Sequence, residues 1–317
     1  MMINGLDFRR LRLWELALAA FAVSAPFLLP AVAPGAPSFI RPAMAQSIEQ
    51  PDVSRVVSVG GAVTEIIYAL GEEGRLVGRD STSTYPEAAT KLPDVGYMRA
   101  LAPEGIIAVN PTAIVAVEGS GPPEALAILK DANIAFTSVP ETFDKDSIPA
   151  KIRSVGTFLN VPDKADALAK SVEADLAAAV AGGAKRPEGE RKRVLFVLST
   201  QGGKIMASGT GTAANGIIEL SGAINAAGKF PGYKALTDEA IIEAKPDVIL
   251  MMDRGGEHSA KADELFALPS LSLTPAAKTK TLIRMDGLHL LGFGPRTASA
   301  IRELNAAIYG KKANASQ

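Results

Sequence analysis

One tract of this chain occurs twice, and that repeat constrains the fold more than any other feature. Leu101-Ala-Pro-Glu104-Gly-Ile106-Ile107-Ala-Val-Asn-Pro111-Thr-Ala-Ile114-Val115 matches Leu236-Thr-Asp-Glu239-Ala-Ile241-Ile242-Glu-Ala-Lys-Pro246-Asp-Val-Ile249-Leu250 at a constant offset of 135 residues. A Gly-Tyr pair precedes each copy, Gly96-Tyr97 and Gly232-Tyr233. A chain made of two similar halves folds most simply into two similar lobes with a cleft between them. Ligand sites prefer such interfaces.

The first 45 residues read as a removable export signal. Arg9, Arg10 and Arg12 form a positive start, Leu13 to Val32 is mostly apolar, and Ala43-Met44-Ala45 is a small-x-small cleavage site ahead of Gln46. Glu15, Pro26 and Pro30 interrupt the apolar run, which argues against a membrane span of about 20 residues. The mature chain is therefore expected to be exported. It keeps 29 basic and 32 acidic residues, without the basic excess that nucleic acid demands. There is no cysteine, so disulfides, thiolate metal sites, thiol catalysis and a lipid-anchored cysteine are all excluded.

Short apolar strands alternate with helices. Arg55 to Val59 is a strand, followed by Gly60-Gly61 and a helix from Thr64 to Gly71; Leu76 to Gly78, Ala113 to Val117 and Ala135 to Val139 are further strands, with helices starting at Pro103 and Pro122. The order restarts after Gly189 with strand Val194 to Leu198, helix Ala214 to Leu220, the second repeat copy, strand Val248 to Met252 and a helix from Pro295 to Ile308. Alternation of this kind implies parallel βαβ units. Between the halves, Leu168, Val172, Leu176 and Val180 recur every four residues from Pro162 onward, with charge on the other faces. That predicts a helix about 27 to 30 Å long, a stiff strut holding the lobes at a nearly fixed separation. The expected organisation is a signal segment at 1–45, an α/β lobe at 46–160, a linking helix at 161–184 and a second α/β lobe at 185–317, with parallel sheets in both lobes and the chain a monomer.

The site candidates by residue type are few. Gly209 to Gly216 lacks the spacing of a dinucleotide fingerprint and the lysine of a phosphate loop, and is expected to be a turn opening a helix. Glu72-Glu73 and Asp144 with Asp146 read as charged turns with no acid–base partner. The chain is not expected to be an enzyme. His258 and His289 are the only histidines, one in a glycine-rich loop and one in an apolar run; Met251 and Met252 at a strand end are expected in the core.

Several stretches carry a family resemblance: Tyr85-Pro86-Glu87-Ala88-Ala89, Leu92-Pro93-Asp94-Val95-Gly96-Tyr97-Met98-Arg99-Ala100-Leu101, Gly232-Tyr233-Lys234-Ala235-Leu236, and Met285-Asp286-Gly287-Leu288-His289-Leu290-Leu291-Gly292-Phe293-Gly294-Pro295-Arg296. With these the chain resembles the helix-linked substrate-binding proteins of ABC importers, and among them the periplasmic haem-binding proteins of bacterial haem uptake. The resemblance covers nearly the whole mature chain and implies a haem-binding protein that delivers to an inner-membrane importer. A ferric siderophore or cobalamin stays open as the alternative ligand.

The resemblance also implies residue roles. Tyr97 is the haem-iron ligand and Arg99 its support, Arg254 meets the propionates, and Glu104 and Glu239 dock into the two permease subunits; Tyr233, the counterpart of Tyr97 in the repeat, is expected as a further cleft contact. The first assignment suits the chemistry, because ferric iron is a hard cation and tyrosinate a hard oxygen ligand. A free phenol ionises near pH 10, so a guanidinium on the same face of an extended segment would help it. Arg296, at the start of the last helix, is expected to be structural. Some family members hold two stacked haems with a histidine near the loop after Leu198; here that loop is Ser199-Thr200-Gln201-Gly202-Gly203.

Overall fold

The computed structural model describes residues 50–253 and 262–310. The predicted signal segment, Arg254 and His258 lie outside the described residues. In chain order the first lobe contains β1 (Val56–Val59), α1 (Gly61–Ala69), β2 (Leu76–Arg79), α2 (Pro103–Ile107), β3 (Ala113–Val117), α3 (Pro123–Asp131), β4 (Ala135–Val139) and α4 (Ser147–Phe158). The long helix α5 (Pro162–Ala184) follows. The second lobe contains β5 (Arg193–Ser199), β6 (Ile205–Ser208), α6 (Ala213–Leu220), β7 (Ile224–Asn225), β8 (Tyr233–Leu236), α7 (Asp238–Ala244), β9 (Val248–Asp253), α8 (Ala262–Phe266), α9 (Pro269–Ser272), α10 (Pro275–Thr279), β10 (Leu282–Asp286), α11 (Gly287–Leu291) and α12 (Thr297–Tyr309).

The first sheet is parallel, in the order β2-β1-β3-β4. Its central strands β1 and β3 are buried throughout and almost wholly apolar because helices cover both faces, leaving no solvated side to alternate toward. Chain order reverses between β1 and β3, which marks the carboxyl ends of those strands as the place for a ligand crevice. The repeat is structural as well as sequential: α2 and β3 recur as α7 and β9, each with the same offset between starting residues.

The second sheet corrects the expectation of parallel strands in both lobes. Its order is β10-β9-β5-β6-β8, with β7 beside β5, and β6 runs antiparallel to both β5 and β8. The reason is chain length. Residues 200–204 connect β5 to β6, far too few for the crossover of a dozen or more residues that a parallel pair requires.

Helix α5 spans Pro162–Ala184, matching the expected linking helix. Its buried stripe is Ala165, Ala169, Val172, Leu176, Ala179 and Gly183, while Leu168 and Val180 are only partly covered. Small residues let the helix lie close to its neighbours. At Gly183 a Cβ would meet the backbone of Ser221 and Gly222 at 3.0 Å, so glycine is the residue that fits. One apolar cluster extends from Val56 and Val115 through Val172 and Leu176 of α5 to Val194, Phe196, Ile301 and Leu304. The outer faces of the two sheets have separate clusters around Ile106 and Ile114, and around Leu195 and Ile241. The strut is thus part of a core shared by both lobes. Lys164 of α5 reinforces this with an ion pair to Glu72 at 2.6 Å.

Candidate functional site

The loop between β2 and α2 carries Tyr97, and backbone bonds to two neighbouring segments determine its shape. Val95 N–H donates to Arg79 O at 2.9 Å and Ser81 N–H donates to Gly96 O at 2.9 Å, so the approach to Tyr97 pairs with the chain leaving β2. Beyond it, Gly121 N–H donates to Met98 O at 2.9 Å and Leu101 N–H to Gly121 O at 2.8 Å. Gly96 has φ 102°, a conformation that side-chain-bearing residues rarely adopt, and its N–H is bound by Asp94 Oδ1 at 2.9 Å.

Asp80 anchors the start of the same loop. It is fully buried; Oδ1 accepts from Gly60 N–H at 3.0 Å and the Ser83 hydroxyl at 2.7 Å, and Oδ2 from Thr82 N–H at 3.1 Å and the Thr82 hydroxyl at 2.7 Å. Four donors offset the cost of burying a carboxylate. Asp80 thereby joins the loop leading toward Tyr97 to the chain between β1 and α1.

Tyr97 is 43% exposed, and its phenol oxygen accepts a hydrogen bond from Arg99 Nη1 at 2.8 Å. The pairing agrees with the expectation, but its geometrical basis differs. Residues 97–100 form a turn closed by Ala100 N–H to Tyr97 O at 2.8 Å, not an extended segment with alternating faces. A guanidinium is donor-only and permanently charged, so the phenol oxygen is the acceptor in this contact.

Tyr233 opens β8 opposite Ser208 of β6 and is 44% exposed. Burial of its phenol raises its pKa above the usual tyrosine value, opposed by a hydrogen bond with Ser208 and by the positive charge of Arg99, and reinforced by Tyr97. The side chains of Tyr97 and Arg99 from the first lobe and Tyr233 from the second are thus near enough to act on one another. Sequence reasoning did not find the acidic residues beside them. Glu118 and Glu141 follow β3 and β4, and Glu141 N–H donates to Glu118 Oε2 at 3.3 Å. Burial raises the Glu141 pKa, with Lys151 and Arg99 pulling it down. Lys151 sits at a core position of α4 between Ile148 and Ile152, and a lysine on that apolar face was the available signal.

The other candidates resolve into structure. His289 Nε2 lies 3.2 Å from Glu303, within the second lobe. Met251 lies in the outer cluster of the second sheet and Met252 packs against the central cluster. Thr212 caps α6 by accepting from Asn215 N–H at 3.1 Å, so the glycine-rich stretch is a helix entry. Asp144 accepts from the N–H groups of Asp146 and Ser147 at 2.9 and 2.8 Å, a turn before α4. Glu104 and Glu239 are exposed in the first turns of α2 and α7. Hydrogen bonds from its own N–H and from Thr237 lower the Glu239 pKa. Among the described residues no group of three or more histidine, cysteine or acidic side chains is arranged to hold a bare metal ion.

The fold is two α/β lobes joined by one long helix. Residues 56–287 match the periplasmic binding protein family, and the chain belongs to it. That is a family of solute-binding proteins, not of enzymes. Among solved structures, the periplasmic haem-binding protein BhuT in complex with two haems is 40% identical, with a TM-score of 0.76 over 80% of this chain and 97% of that one. An ABC transporter substrate-binding lipoprotein of Bacillus subtilis is 30% identical over 257 residues, 80% of each chain. The vitamin B12-binding protein of Pectobacterium carotovorum is 24% identical over 257 residues, 79% of this chain and 89% of its own.

Proposed function

We propose that this chain binds haem in the periplasm and delivers it to an inner-membrane ABC importer. The observation that carries the reading is the Arg99–Tyr97 hydrogen bond at 2.8 Å, made by exposed side chains of the first lobe whose charge acts on Tyr233 of the second. Tyr97 is the iron ligand, Arg99 supports it by donating a hydrogen bond to its oxygen, and Tyr233 contacts the ligand from the second lobe. Arg254, directly after the last residue of β9, meets the propionates. The greater similarity to a haem-binding protein, 40% identical, than to a vitamin B12-binding protein, 24% identical, favours haem over cobalamin. Glu104 and Glu239 dock onto the two permease subunits. The mature monomer starts near Gln46 after signal removal and comprises lobes at 46–160 and 185–317 joined by a helix at 161–184.

Titration of the apo protein with hemin tests this reading. A saturable Soret band with phenolate-to-iron charge-transfer absorption is expected; hemin that stays free while cobalamin or a ferric siderophore binds would overturn it. The same titration with Arg99→Ala should show affinity lower by about 10- to 100-fold, the usual cost of losing a group that supports a metal ligand. Ligation by a phenolate releases a proton, so affinity rises with pH. Arg99→Ala removes the donor to that oxygen, so its pH profile of hemin binding should depart from that of wild type. Parallel pH profiles would remove Arg99 from the role.

A further inference from the structure

We propose that the loop Gly292–Arg296 of the second lobe is a strap, held by two charged groups of the first lobe, that sets the width of the ligand cleft in the empty protein. Arg296 makes a bidentate pair with Glu65 of α1, Nη2 to Oε1 at 2.6 Å and Nε to Oε2 at 3.0 Å, while its guanidinium carbon lies 3.6 Å from the ring centroid of Tyr85. Three residues earlier in the same loop, Lys151 Nζ of α4 donates to Phe293 O at 3.2 Å and pairs with Glu141 Oε1 at 2.6 Å. The Glu65 side chain is 5% exposed and that of Lys151 is 0% exposed.

Charges this deeply buried are costly, and a position that needed only stability would be served as well by apolar residues. What they add is a defined geometry. A planar guanidinium clamped on one side by a carboxylate and stacked on a ring has one orientation, and it fixes where the second lobe meets the first. The strap itself is not relaxed. Phe293 has φ 48°, an unfavourable conformation for a bulky side chain, and is held there by the Lys151 bond and by edge-to-face packing of its ring on Phe143 at 5.4 Å. Around these bonds the lobes are in close contact. A Cβ on Gly61 would run into Leu288, and one on Gly294 would lie 3.4 Å from Ala62. The strap goes beyond the haem reading, because it concerns the empty protein and needs no ligand to be observed.

The absence of cysteine makes the test clean, since Asp131→Cys and Lys278→Cys place one spin label on an exposed position of each lobe. In the apo mature protein a narrow distance distribution is expected. Glu65→Gln with Arg296→Gln removes both charges together, and should shift that distribution to longer distance and broaden it, with hemin leaving on the order of tenfold faster because such changes act mainly on dissociation. A folded double variant whose apo distribution superimposes on the parent's would overturn the strap, whatever its thermal stability. Should that variant not fold, Arg296→Lys asks the same question while keeping the charge, since lysine loses the bidentate fork and the stacking. An unchanged distribution there would equally reject the proposal. Failure to bind hemin would count against the haem reading and leave the distance measurement to decide the strap.

Discussion

Tyr97→Phe should weaken hemin binding by more than about 100-fold, beyond the range expected for loss of a merely supporting group. That corresponds to at least about 2.8 kcal/mol, at 1.4 kcal/mol per factor of ten. The substitution removes one oxygen and keeps the ring, so the turn at residues 97–100, which is held by backbone bonds, stays as it is. Arg99 then loses its 2.8 Å acceptor and faces an apolar ring edge. Thermal stability should be close to wild type, because the replaced group is exposed. An equilibrium titration with and without the substitution measures the effect, and equal affinities would remove Tyr97 from the iron.

Reversing charge at both repeat-related helix starts, Glu104→Lys with Glu239→Lys, should abolish haem uptake by cells and leave the hemin titration unchanged. Both carboxylates are exposed in the first turn of equivalent helices, one in each lobe. A negative charge at the positive end of a helix is favourable by roughly 0.3 to 1 kcal/mol, so reversal costs some stability but not folding. Symmetric surface charges suit a partner with two related subunits, and charges at a rim act mainly on encounter and register. The measurement is uptake by cells alongside salt-dependent binding of purified protein to importer-containing vesicles. Normal uptake would end the docking assignment.

The parts of this molecule visible in its sequence are those whose signal is local. β3 is a fully buried apolar run and β4 a short strand opening on Ala135-Phe136, and the structure has them at the predicted residues Ala113–Val117 and Ala135–Val139. The linking helix announces itself by a four-residue periodicity, although small alanines rather than Leu168 and Val180 form its buried stripe. The hairpin strand β6 and its neighbour β8 were not legible. Ile205–Ser208 is short and followed directly by glycine, and Tyr233–Leu236 is largely exposed, so neither stands out in the sequence as a strand. α4 was obscured by Pro149, Gly156 and the buried Lys151 within it.

The site divides in the same way. Tyr97 and Arg99 are two residues apart and could be paired from sequence, but the turn that brings them together depends on Gly121, more than twenty residues on. Glu65 and Arg296 are separated by 231 residues, and nothing local to either points to the other. Long-range charge pairs are decided by how the lobes meet, which is a property of the assembled fold.

Resonance Raman spectroscopy of the hemin-loaded protein, excited in the phenolate-to-iron charge-transfer band, addresses the iron–oxygen bond itself. Tyrosinate ring modes should be enhanced in wild type and absent in Tyr97→Phe. A wild-type spectrum without them, or with the same modes in both proteins, would contradict Tyr97 ligation of haem.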